Sequence, residues 1–220
     1  MKLRGAIFDL DGTMLDSMIV WDTLGAAFLT RRGILPRADL NDHLKSMSLA
    51  QAALYFQTAY GLSDDCDSIV ADITAQIASF YQNEALAKPG VPAFLETLRG
   101  AGVRMCIATA TDHALAEAAL RRNGLLHYIV DILTSATVGS GKDAPAIFDA
   151  ALAVLGTDKE ATIVFEDALH AVQTAKRAGY RVVALQDDAA EPDREHIRAL
   201  ADRYFQSFGD IKLNELDTFL

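Results

Sequence analysis

The sequence predicts an α/β fold: a three-layer, Rossmann-like parallel sheet with a small α-helical bundle inserted as a cap after the first strand. Three observations predict it. Short apolar runs alternate with amphipathic helical patterns over most of the chain. The helical patterns close on glycines, and the stretch from 16 to 85 shows helical spacing without a convincing strand.

The first strand is expected at 5–10, where Gly-Ala-Ile-Phe-Asp-Leu runs directly into more carboxylates. Beyond it, Trp21, Leu24, Phe28 and Leu29 recur at helical intervals. So do Leu49, Ala53, Leu54, Phe56 and Tyr60, and then Ile69, Ile73, Ile77 and Phe80. Gly33, Pro36 and Gly61 break these patterns, and four helices are expected. They form a cap at 16–85 on a sheet-bearing core made of 1–15 and 86–220, with Asp16 and 87–89 as the crossings and the hinge between the two. Four more strands are expected at 103–108, 129–134, 161–165 and 181–185. Helices at 92–100, 112–123, 144–155 and 169–178 accompany them, closed by Gly102, Gly124, Gly156 and Gly179. Such alternation makes the strands parallel, so whatever follows each strand gathers at one edge of the sheet. Ligands bind at that edge in open α/β sheets, where an inserted helical unit is placed to act as a lid.

Composition narrows the function. The chain has 220 residues, 51% hydrophobic, and a net charge of −10 spread along its length. No Lys/Arg stripe suits a phosphate backbone, so nucleic acid is not an expected partner. No apolar run approaches the roughly 20 residues of a membrane span. Met1-Lys2 leads straight into a strand pattern without a signal peptide's apolar region, so the expected location is cytoplasmic, with no membrane partner and a monomeric state. Cys66 and Cys106 read as reduced thiols, and the five histidines show no metal-ligand spacing.

Four stretches could carry chemistry. Asp9-Leu10-Asp11-Gly12-Thr13 sets two carboxylates after a buried strand. Turn formation or capping explains one Asp before a Gly, not two. A nucleophilic carboxylate with a proton shuttle two residues on explains both. Thr109-Ala110-Thr111-Asp112 follows a strand and opens a helix, either as a plain cap or as a cradle of hydroxyl and amide groups for phosphate. Gly139-Ser140-Gly141-Lys142 superficially resembles a P-loop, but Ala136 and Asp143 occupy positions that a P-loop reserves for Gly and Ser/Thr. Lys142 is then either a solvated loop lysine or a member of a shared site. Glu166-Asp167 again ends a strand with acids, through solvation or for a hard cation such as Mg²⁺.

Taken together, the four stretches support one another. At an effective dielectric near 20, a charge pair about 4 Å apart is worth roughly 4 kcal/mol, enough to keep a bare carboxylate from a phosphate dianion. A divalent cation and Lys142 would reverse that field.

In type and order these motifs resemble those of the haloacid dehalogenase superfamily, over essentially all 220 residues. The helical insertion is similar to the cap of the branch that includes β-phosphoglucomutase and many small-molecule phosphatases. The resemblance implies that Asp9 attacks phosphorus and Asp11 protonates the leaving oxygen, then activates water. It implies that Thr109, the Ala110 amide and Lys142 hold the phosphoryl group, with Gly12 and Thr13 in the phosphate-binding loop. Mg²⁺ would be held by Asp9, the Asp11 backbone carbonyl and Asp167, with Glu166 direct or through water. Trp21, Lys45 and Met47 are the cap residues expected to contact substrate.

Asp11 speaks against the dehalogenases and phosphonate hydrolases of the superfamily, which lack it. Leu49 and Trp21 stand where the mutase has an arginine and a histidine, which favours hydrolysis over phosphate relocation. Ala168 and Ala171 replace a Ser and a Gly common in this branch. The expected function is a Mg²⁺-dependent phosphatase for a small phosphorylated metabolite. A sugar-phosphate mutase and a non-catalytic phospho-ligand-binding protein are the alternatives.

Overall fold

The computed structural model describes residues 2–44 and 47–220. Its contacts divide the chain into two compact units, Met1–Asp16 with Ala85–Leu220, and Ser17–Glu84. The first unit holds a six-stranded parallel sheet of β1 (Gly5–Phe8), β4 (Arg104–Thr109), β5 (Ile129–Thr134), β6 (Thr162–Glu166), β7 (Arg181–Leu185) and β8 (Arg203–Phe205). The labels β2 (Leu15–Asp16) and β3 (Leu86–Ala87) belong to a separate two-stranded antiparallel pair, with Leu15 opposite Ala87 and Asp16 opposite Leu86.

The strand order is β5-β4-β1-β6-β7-β8. From β1 the chain builds outward through β4 and β5, then returns to the other side of β1 to build β6, β7 and β8. This reversal makes the carboxyl ends of β1, β4 and β6 the switch point where an open α/β sheet forms its crevice.

Strand alternation sorts β1 onto two cores. Phe8 lies opposite Phe165 in register, and their rings stack at 4.6 Å. Phe94 and Phe208 join them on the same face. Ile7, Cys106 and Val164 belong to a different buried cluster, with Ile147, Phe148 and Ala151 of the helix Ala146–Leu155 and with Val172 and Ala175 of the helix Leu169–Arg177. Central strands covered on both faces read as continuous apolar runs, which made them visible in the sequence.

Two differences from expectation stand out in this unit. The sheet has six strands where five are expected, because β8 is an edge strand of three partly exposed residues with no apolar run. The segment around Asp16 and 86–87 forms the β2–β3 pair instead of plain connections.

The second unit contains the helices Ile19–Arg31, Leu40–Leu44, Leu49–Tyr60 and Cys66–Asn83. Ser48 and Gln51 form a reciprocal capping box at one start, and the Asp65 side chain accepts the Ser68 amide at another. Phe28, Phe56, Ile69, Ile73 and Tyr81 are buried, and Phe28 stacks on Phe56 at 4.9 Å. Trp21 and Leu54 share the helical spacing but are exposed, at 46% and 55%. The apolar stripe is wider than the face that packs. Among the described residues no helix is long and apolar enough to cross a membrane.

Candidate active site

The site forms where β1, β4 and β6 end. The Asp9 amide donates to the Phe165 carbonyl at 2.9 Å, carrying the β1–β6 ladder one residue past the strand and fixing Asp9 at the sheet edge. The chain then turns sharply. Met14 and Leu15 donate back to the Leu10 carbonyl at 2.9 and 2.8 Å, and the Gly12 amide donates to the Leu15 carbonyl at 3.0 Å. Gly12 has φ of 81°, a left-handed conformation that a residue with a Cβ adopts only at a cost. Within this turn Thr13 is fully buried, and its hydroxyl donates to Asp167 Oδ1 at 2.6 Å. Gly12 and Thr13 therefore use these donors to shape the loop and orient Asp167.

Lys142 is buried and ion-paired with both Asp9 and Glu166, the latter at 2.5 Å. Of the two readings the sequence left open, the geometry selects the shared site over a solvated lysine. The second oxygen of Glu166 accepts the Asp167 and Ala168 amides at 3.0 and 3.2 Å. With both oxygens engaged, Glu166 is built to hold Lys142 and the turn after β6.

Carboxylate oxygens of Asp9, Glu166 and Asp167 lie within 4.8 Å of one another, all three residues buried. Burial pushes the Asp9 carboxyl well above its usual range; Lys142 opposes the shift, while Glu166, Asp167 and Asp11 add to it. Burial also raises Asp167 to about 7, helped by Glu166 and opposed by the Thr13 hydrogen bond. Burial pulls the Lys142 ammonium down, but the fields of Asp9 and Glu166 outweigh it and hold its pKa above the ordinary value. Three carboxylates against one ammonium leave two negative charges when all are ionised. An all-oxygen, doubly negative, buried donor set fits a hard divalent cation.

Thr109 ends β4 and is buried; its hydroxyl accepts the Thr111 amide at 3.0 Å, and Ala110 beside it is exposed. The Thr111 hydroxyl donates to Asp11 Oδ2 at 2.6 Å. Thr111 is the residue of this site that the sequence does not single out: either Thr111 or Asp112 suits the helix cap, and the structure gives that task to Asp112, whose side chain accepts the Ala114 amide. Its local pattern carried the right residue type, but its partner stands a hundred positions away.

The three cap residues are not all placed. Trp21 and Met47 line an apolar pocket of about 100 Å³ inside the helical unit, with Leu24, Leu44, Leu49 and Phe56. Lys45 lies outside the described residues.

The chain is similar in sequence and in fold to known proteins. The chain is 30% identical over 193 residues to a phosphoglycolate phosphatase of Rhodospirillum rubrum, covering 83% of this chain and 79% of that protein. It is 28% identical to a mitochondrial (DL)-glycerol-3-phosphatase of Arabidopsis thaliana, over 97% of this chain and 73% of the relative. Among solved structures it is similar to a Thermotoga maritima protein provisionally named a β-phosphoglucomutase, with TM-score 0.83, 23% identity, and coverage of 99% and 100%. It is also similar to CbbY of Rhodobacter sphaeroides in complex with phosphate, with TM-score 0.72, 22% identity, and coverage of 94% and 96%. Residues 3–179, a span that includes the Asp9 turn, Thr109, Lys142 and Asp167, match the family model of the haloacid dehalogenase-like hydrolases, and the chain belongs to that family.

Proposed function

We propose that the protein is a Mg²⁺-dependent phosphatase that hydrolyses a small phosphorylated metabolite, such as a sugar phosphate or nucleotide, through a phosphoaspartate on Asp9. The observation that carries this reading is the buried trio Asp9, Glu166 and Asp167 around Lys142 at the switch point of the sheet, with Asp11 two residues beyond Asp9. The curated relatives bear phosphatase names, which supports the same chemistry.

In the first step an Asp9 carboxylate oxygen attacks phosphorus as the bond to the leaving oxygen breaks, and Asp11 gives that oxygen a proton. In the second, Asp11 takes a proton from water, the water oxygen attacks phosphorus, and inorganic phosphate leaves as the Asp9 carboxylate is restored. Lys142, Thr109 and the Ala110 amide hold the phosphoryl oxygens. Asp9, the Asp11 carbonyl and Asp167 would hold Mg²⁺, with Glu166 direct or through a water. The cation supplies the positive charge that lets an anionic nucleophile approach an anionic ester. Residues 17–84 select the substrate, with Trp21, Lys45 and Met47 as contacts.

The test is phosphate release from a panel of phosphorylated metabolites with Mg²⁺, beside Asp9→Asn. Loss on the order of a thousandfold or more is expected for the variant. Parental activity in Asp9→Asn would rule out the covalent route. An isomerised product without free phosphate would instead point to phosphate relocation.

A further inference from the structure

Lys88 follows β3 at the start of the turn Lys88-Pro89-Gly90, and its side chain is only 16% exposed. An ammonium has three protons to donate. Here they meet three acceptors: the Gly12 carbonyl, the Gln186 carbonyl at 2.9 Å, and Asp187 Oδ2 at 2.6 Å. Asp187 is also buried, and its second oxygen accepts the Ala189 amide at 2.9 Å. A buried ion pair is costly to assemble unless its remaining hydrogen-bonding groups are satisfied, and here they are.

The pair grips the turn that carries the acidic site. Besides the side-chain contact to Gly12, the Lys88 amide donates to the Met14 carbonyl at 2.8 Å. Both neighbours of Thr13 are thus tied to one lysine. Thr13 itself reaches Asp167 at 2.6 Å. The chain of contacts runs from Asp187 to Lys88, to the Gly12–Met14 turn, to the Thr13 hydroxyl and so to Asp167.

We propose that Lys88 and Asp187 are a positioning pair for the acidic cluster, holding the Thr13 turn so that Asp167 is fixed for a divalent cation. The inference rests on the metal-dependent reading above. Groups that orient a ligand from behind change metal affinity by about 10-fold or more when removed.

The test is Mn²⁺ binding to the full chain without substrate, followed by electron paramagnetic resonance. Lys88→Met, Asp187→Asn and Thr13→Val should each weaken Mn²⁺ binding by about 10-fold or more. The Lys88→Met/Asp187→Asn double variant should be no weaker than the worse single variant, because both act through one chain of contacts. Lys88→Arg, which keeps the charge and the reach to Asp187, should recover most of the affinity. If Lys88→Met fails to fold, the near-isosteric Asp187→Asn decides alone. Variants that lose thermal stability but bind Mn²⁺ within about twofold of the parent would overturn the pairing role, leaving the contacts merely structural. A parent protein that binds no Mn²⁺ would instead overturn the metal-dependent reading, and the positioning role with it.

Discussion

The Lys142 ammonium and the Thr111 hydroxyl each reach across the sheet edge to one of the two aspartates of the first turn, Lys142 to Asp9 and Thr111 to Asp11. Lys142 offsets part of the desolvation that burial imposes on the Asp9 carboxylate, while Thr111 fixes one oxygen of the proposed proton shuttle. Replacing Thr111 by Val removes that donor and preserves the shape of the side chain. Steady-state kinetics of Thr111→Val should show kcat lowered by about 10-fold, with KM little changed. A parental kcat in this variant would deny Thr111 any part in orienting Asp11. The carboxylates themselves were legible in the sequence because acids that follow buried apolar strands contradict local preference. Lys88 was not legible, because nothing near the Lys-Pro-Gly turn announces a partner at Gly12 or Asp187.

At the scale of the element, the central strands announce themselves and the edge does not. β1, β4 and β6 are buried on both faces, so their sequences are nearly uninterrupted apolar runs. Phe165 on β6 stacks on Phe8 and meets Phe94 edge-on at 5.5 Å. Phe165→Ala should cost about 3–5 kcal/mol in urea unfolding. The strand β8 escapes detection because Asp202, not an apolar run, docks it. The Asp202 carboxylate accepts the Val182 amide at 2.8 Å, Lys176 at 2.6 Å and Arg181 at 3.1 Å. Burial pushes its pKa up, but the Lys176 hydrogen bond and these other contacts outweigh burial and hold it below the usual carboxylate range. A folded value below the unfolded one means that its stabilisation is present above the ordinary carboxylate pKa and is lost as pH falls through the folded value. Asp202→Asn should therefore lower Tm by about 2–6 °C at neutral pH and narrow its gap from the parent in acid. A gap that stayed constant down to pH of about 3 would contradict this assignment.

For the molecule as a whole, the same linkage runs with the opposite sign at the active site. Asp9 and Asp167 have folded pKa values above their unfolded ones, so in metal-free protein their contribution is fullest below the ordinary carboxylate range. It is lost as pH rises through the folded values, about 7 for Asp167. Metal-free Tm should fall across that window, and the increment from Mg²⁺ should be larger above it than below. A cation present at about 100 times its Kd adds ~2.7 kcal/mol, which differential scanning fluorimetry resolves. Equal increments on both sides of the window would argue against binding at these carboxylates. The β2–β3 pair has a consequence of another kind. By placing Leu15 opposite Ala87 and Asp16 opposite Leu86, it brings the two ends of the 17–84 segment side by side, like the base of a hairpin. Seen from the sheet-bearing unit, sixty-eight residues occupy the place of one tight turn, which makes the segment an exchangeable cassette that can be shortened, lengthened or swapped without rethreading any strand.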